Sequence, residues 1–155
     1  MNDFLSNWKQ VNELTLDFLK KIPEKEFSKK PFDPRFKSLA WEFACILSTR
    51  AGYIKGFALG SLDGSCFSAD TELSKKEFLK KLEETSKKIL DVLNNQSVDE
   101  IIYFGEKTSK ENVISWLMQH EQFHFGKLLL YFSKAEIELP SSLLKMWGEN
   151  SFRKK

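Results

Sequence analysis

The chain has 155 residues, 41% of them hydrophobic and 30% charged, a length suited to one domain that buries roughly 70% of its unfolded surface. Its formal net charge of +2, with lysines scattered among glutamates, provides no gathered basic face for nucleic acid, and the closing Phe152-Arg153-Lys154-Lys155 reads as a solvated end. Fourteen phenylalanines, four tryptophans and three tyrosines promise a bulky core, and no apolar run approaches the roughly 18 residues that span a bilayer.

Apolar residues at Phe4, Leu5, Trp8, Val11, Leu14, Phe18, Leu19 and Ile22 keep a helical period, so a first helix runs from Asn2 to Ile22. Pro23 ends it, because proline cannot donate to the preceding turn. Residues 24–37, with Pro31 and Pro34, form a polar connection across the surface. Ser38 caps a second helix, in which Leu39, Ala40, Trp41, Phe43, Ala44, Cys45, Ile46 and Leu47 are interrupted only by Glu42. A helix apolar on nearly all sides is a buried one. Its later face of small residues, Ser48, Ala51, Gly52 and Gly56, suits close approach of a neighbouring helix better than an open cavity. Gly60 closes this helix.

Residues 61–73, with Asp63-Gly64 and Asp70, read as an extended loop. Ser74-Lys75-Lys76-Glu77 is a capping box, and the helix it opens carries Phe78, Leu82, Thr85, Ile89 and Leu93 on one stripe. Asn94-Asn95 breaks it. The run from Glu100 to Gly105 is β-like but cannot build a sheet alone. Thr108-Ser109-Lys110-Glu111 is a second capping box, opening a helix whose inward stripe is Val113, Leu117, His120, His124, Leu128 and Tyr131. After Pro140, a short terminal helix runs from Ser141 to Trp147 and ends at Gly148. These elements predict an all-α fold, a four-helix bundle with a short extra C-terminal helix. The connections 23–37 and 61–73 are long enough to be crossovers.

Two cysteines, Cys45 and Cys66, make neither a disulfide framework nor a CxxC pair. Met1-Asn2-Asp3 leads into an amphipathic helix rather than a secretory leader. The expectation is a soluble cytoplasmic protein with reduced thiols and no membrane association.

The chemistry centres on the only two histidines, His120 and His124. Four residues apart, they share one helix face, and that face points inward. A buried imidazole left unpaired costs a few kcal/mol, and a divalent ion taking both would need at least one further protein ligand. The residues by themselves leave a metal site and a structural histidine pair equally open. His120-Glu121-Gln122-Phe123-His124 also matches H-E-x-x-H, the metalloprotease helix in which Glu121 would be the base. Glu136, Glu138 or Glu149 could then complete a ligand set. Against this, Gly126 stands two residues after His124 rather than three, no third histidine follows, and no sheet edge is predicted to bind a peptide. Glu121 is also rotated by about 100° from His120, which places it at the surface or beside the ligands rather than facing a substrate.

The segment His120-Glu121-Gln122-Phe123-His124-Phe125-Gly126-Lys127-Leu128 resembles the H-x-x-x-H-R-G-Q-L motif of the DinB/YfiT superfamily, small four-helix-bundle proteins regarded as metalloenzymes. Tyr131-Phe132, the spacing to Pro140, the closing Trp147-Gly148, and the opening Phe18 to Glu24 followed by Ser38-Leu39 are similar too. The resemblance implies a divalent metal ion, zinc or nickel, held by three histidines, one on the second helix and two on the later one. His120 and His124 match the later pair. The helix-two position falls between Ser38 and Ile46, and its best match is Cys45. As a thiolate, Cys45 is a sound zinc ligand that leaves a fourth position open; otherwise it is a small buried hydrophobe and the site has decayed. Phe125 and Lys127 replace the arginine and glutamine of the motif. The resemblance further implies a metal-dependent S-transferase or related activity, with a low-molecular-weight thiol, an electrophilic substrate and a homodimer. The competing expectation is a non-catalytic bundle with an empty site, acting through a dimer interface.

Overall fold

A computed structural model describes residues 2–29, 31–68, 72–95 and 97–148. The features expected at Asp70, Glu149 and Phe152–Lys155 lie outside these described residues.

The periodic segments become helices α1 (Asn2–Lys21), α3 (Leu39–Leu59), α4 (Lys75–Asn94) and α5 (Lys110–Lys134), with α6 (Ser141–Trp147) following. Their ends are set by local chemistry. The Ser38 side chain accepts from the Trp41 amide at the start of α3, and Gly60, at φ 70°, caps its C-terminus in the left-handed region. Ser74 and Glu77 form the reciprocal capping box of α4. At α5 the cap shifts by one residue. Ser109, not Thr108, accepts from the Asn112 amide, because Thr108 is engaged in a strand pair with Ile101.

That pair belongs to a small sheet. The β-like run is its middle strand, β2 (Glu100–Tyr103), flanked by β1 (Ser61–Leu62) in parallel and β3 (Glu106–Ser109) in antiparallel register. Phe104 and Gly105 turn the hairpin with φ of 48° and 91°. Positive φ at both central residues matches the twist of the flanking strands. The polar connection 22–38 contains a further helical turn, α2 (Glu24–Phe27). Its Phe27 is buried and meets Phe43 and Phe78 at centroid distances of 6.3 and 5.7 Å.

In the bundle, α1 neighbours α4 and α5, and α3 neighbours the same two, so α1 and α3 lie diagonally opposite. Lys75 Nζ reaches Ile22 O, and Trp8 Nε1 donates to Ser86 O, so α1 and α4 are antiparallel. Contacts of Glu42 with His124 and of Arg50 with Glu121 make α3 antiparallel to α5. Thr15 bonds Glu121 and Lys21 bonds Glu138, so α1 and α5 run together. It follows that α3 and α4 are neighbours pointing the same way, and the chain between them must return along the bundle.

The small-residue face of α3 receives that returning segment rather than another helix. A Cβ on Gly56 would meet Leu62 Cβ at 2.6 Å, and one on Gly52 would meet the Phe67 ring at 2.5 Å. Trp8, Phe18, Phe43, Phe78 and Phe132 fill the centre and are fully buried. Among the described residues, no helix is long and apolar enough to cross a membrane.

Candidate metal centre

Antiparallel packing of α3 on α5 brings Cys45 to the two histidines. Cys45 Sγ lies 3.7 Å from His120 Nε2, and the two Nε2 atoms are 3.2 Å apart. The three potential ligand atoms all fall within 4.8 Å of one another. A tetrahedral zinc site with Zn–N of ~2.0–2.1 Å and Zn–S of ~2.3 Å has edges of about 3.4 Å between nitrogens and about 3.6 Å between sulfur and nitrogen. The Nε2–Nε2 and Sγ–His120 edges lie close to these values, and the third edge, from Cys45 to His124, lies within 4.8 Å. Two ring nitrogens facing one another across 3.2 Å also need something between them, either a proton or a cation. The donor set therefore fits a metal ion and could hold one. Cys45 and His120 are only half-buried, whereas His124 is 1% exposed, so the cluster has one open side.

Glu42, in the sequence merely an interruption of an apolar run, is the main support of His124. It is 1% exposed, and its Oε2 accepts from His124 Nδ1 at 2.5 Å. A proton held on Nδ1 leaves the Nε2 lone pair directed at Cys45 and His120, the usual way a carboxylate orients a ligating imidazole. Lys127 Nζ donates to the same oxygen at 3.3 Å and lies over the Phe123 ring, 4.5 Å from its centroid. The second oxygen of Glu42, the Tyr131 hydroxyl and His120 Nδ1 are buried with no partner among the described residues. Burial, and then the nearby Glu42 charge, push the Tyr131 hydroxyl up to about 12. A sequence signal for Glu42 existed: it sits one turn before Cys45, on the same face of α3.

The cluster is also electrostatically coupled. Hydrogen bonds first from His120 and then from His124 outweigh burial and pull the Cys45 thiol down to about 6. Burial pulls His124 the other way, but the Cys45 and Glu42 partners prevail and its pKa rises. The signs of the stability effects differ. In the metal-free protein, the Cys45 contribution is complete above its unfolded value of 9.0 and is lost as pH falls through about 6. The His124 contribution is present below the unfolded value of 6.5 and is lost as pH rises through its higher folded value. In Cys66→Ser, which leaves Cys45 as the one thiol, thiolate absorbance of the metal-free protein should accordingly rise half-maximally near pH 6. With His120→Ala added it should return toward the unperturbed value of 9.0. A Cys66→Ser midpoint already at the unperturbed value would contradict this coupling.

Glu121 does not sit at the surface. It is 0% exposed and points away from the cluster into the bundle, where Arg50 Nε donates to Oε1 and Nη2 to Oε2, each at 2.7 Å. Thr15 Oγ1 donates to Oε2 at 2.6 Å. A carboxylate so engaged is no free base facing the histidines, so the H-E-x-x-H hydrolase pattern has no geometric basis here. Glu136 is exposed, and exposed Glu138 pairs with Lys21 at 2.7 Å; neither joins the cluster, and Glu149 lies outside the described residues. Phe125 stacks on Phe18 in the core at 5.5 Å, so only Lys127 of the two motif replacements lies beside the donor set. Arg50 carried a usable sequence signal that the motifs did not absorb, a charged side chain within a helix otherwise read as buried.

Fold and donor set together define a class, a four-helix bundle carrying a possible metal-binding group of one cysteine and two histidines. The chain belongs to the DinB family, whose model matches residues 1–135. Two solved structures are similar to it. A DinB-like protein of Bacillus subtilis, YjoA, is 26% identical with a TM-score of 0.69, covering 90% of this chain and 96% of its own. A DinB-like protein of Bacillus cereus shares the fold at a TM-score of 0.72 and 16% identity, covering 91% of this chain and 96% of its own. No curated protein shows a significant match.

Proposed function

We propose that this DinB-family chain is a divalent-metal-dependent enzyme that transfers a low-molecular-weight thiol to an electrophilic substrate, with Cys45, His120 and His124 as the ligands of a zinc or nickel ion. The observation carrying this is the convergence of Sγ and two imidazole nitrogens within 4.8 Å of one another on a partly open side of the bundle, with His120 Nε2 3.7 Å from Sγ and 3.2 Å from His124 Nε2. When bound, a divalent ion supplies the positive charge that lowers the pKa of a thiol brought to the open position.

The chain's own residues have distinct tasks in this reading. Glu42 holds the Nδ1 proton of His124 and fixes its ring. Lys127 balances the Glu42 charge. The Thr49 hydroxyl, 3.4 Å from His120 Nε2, stands beside the cluster as a hydrogen-bonding group for an incoming ligand. Trp116 and Phe123, exposed on α5 on either side of His120, offer apolar walls to an electrophile. The same reading takes residues 1–155 as one domain acting in the cytoplasm as a homodimer. Pairing is favoured by exposed apolar side chains such as Leu130 and Phe123, and the mass of the purified protein in solution decides it.

A specific observation also favours a second reading, a non-catalytic bundle with an empty site. His120 Nε2 lies within hydrogen-bonding reach of both the Cys45 thiol and His124 Nε2, so the three groups can satisfy themselves through shared protons. Metal analysis of protein purified without a histidine tag separates the two. The metalloenzyme should carry about one divalent ion per chain, lose it in His124→Ala, and lose thermal stability on chelation, since a ligand bound only to the folded state stabilises it. Substoichiometric metal that His124→Ala leaves unchanged, with a chelator-insensitive melting temperature, would establish the empty bundle.

A further inference from the structure

The buried Arg50–Glu121 pair lies back to back with the candidate metal centre. Arg50 directly follows Thr49, and Glu121 directly follows His120. Neighbouring residues on a helix point about 100° apart. Where α3 meets α5, Thr49 and His120 therefore face the open side while Arg50 and Glu121 face the bundle interior. Both members of the pair are 0% exposed. The guanidinium makes four hydrogen bonds, two to Glu121 and one each to Asn12 Oδ1 and Leu82 O. It also lies 4.8 Å from the centroid of the Trp8 ring. One side chain of α3 thus ties together α1, α4 and α5.

We infer that this pair is a positioning device that sets the register of α3 against α5 and so fixes the distance from Cys45 to His120 and His124. The inference rests on the metal reading above. Its physical basis is that a bidentate arginine–carboxylate pair constrains orientation as well as distance. A slip of one residue along α5 moves His120 by about 1.5 Å, whereas metal–ligand distances tolerate only about 0.2 Å. Such a slip would also break both 2.7 Å bonds. Net stability is a weak reason for a buried pair, since well-packed apolar residues of similar volume usually do as well or better.

Titration with Co2+ tests the inference, because the thiolate-to-cobalt absorption reports Cys45 in the ligand set without any assay of activity. Two variants are compared with wild type: Arg50→Met/Glu121→Leu, which substitutes apolar packing, and Arg50→Lys, which keeps the charge but removes the planar fork. The double variant should melt at or above the wild-type temperature, yet bind Co2+ about 10- to 100-fold more weakly with a diminished thiolate band. Arg50→Lys should fall in the same direction. A folded double variant with wild-type affinity and spectrum overturns the inference and leaves the metal reading intact. Should the double variant fail to fold, a folded Arg50→Lys with wild-type binding overturns it equally, and loss of folding in both marks the pair as a stability element and overturns it too. Wild-type protein that binds no Co2+ overturns both readings together.

Discussion

Replacing Glu121 with alanine is expected to lower the unfolding free energy by ~3–5 kcal/mol, the cost of stranding a buried charge whose partner has been removed. Arg50 would be left with no carboxylate, at 0% exposure, while its remaining acceptors are the Asn12 amide and the Leu82 carbonyl. Thr15 would lose its acceptor on Glu121 as well. Urea denaturation followed by circular dichroism measures the loss. The contrast is with exposed pairs: breaking Lys21–Glu138, whose glutamate side chain is 84% exposed, should cost no more than ~1 kcal/mol. A loss of similar size for Glu121→Ala would mean that water reaches the guanidinium once the carboxylate is gone.

Glu42→Gln is expected to weaken divalent-metal binding by about 10- to 100-fold with little change in fold, since partners of ligating histidines typically carry that much affinity. The isosteric amide keeps the volume but loses the charge that raises the basicity of His124. It also leaves Lys127 without its carboxylate. Competition with a chromophoric chelator measures the change. Lys127→Ala should matter less, because that ammonium is partly solvated and bonds Glu42 at the longer 3.3 Å. Unchanged affinity in Glu42→Gln would show that the 2.5 Å bond to His124 Nδ1 does not orient the imidazole for a metal.

The long helices were legible because each carries a stripe of apolar residues at steps of three and four, and such a stripe must be buried. Their caps were legible where the capping side chain has no competing partner, as at Ser38 and Ser74. At Thr108 local chemistry misled by one residue. Thr108 is paired with Ile101 in the sheet, so the helix starts one residue later than the motif implies, and strand pairing is a long-range event that a four-residue motif does not register. The sheet was half legible for the same reason. Residues 100–103 look β-like, but their partners, Ser61-Leu62 and residues 106–109, are too short or too polar to announce themselves. Gly52 and Gly56 announced a close approach, and only the parallel arrangement of α3 and α4 decided that the returning chain fills it.

The site divides along a similar line. Spacing alone put His120 and His124 on one inward face, because residues four apart on a helix must share it. Cys45 was reached through likeness to a family motif rather than through geometry. Whether its sulfur meets the imidazoles depends on how far α5 slides along α3, a quantity that no local pattern contains. Glu42, Thr49, Arg50 and Glu121 acquire their partners through that same helix contact, each across about seventy residues or more of chain. The sequence by itself thus determined which faces are buried and which two nitrogens share a turn, since both follow from the helical repeat. Only the tertiary structure decided which glutamate serves a histidine and which one an arginine, because that choice rests on the register of two helices held by the pair buried between them.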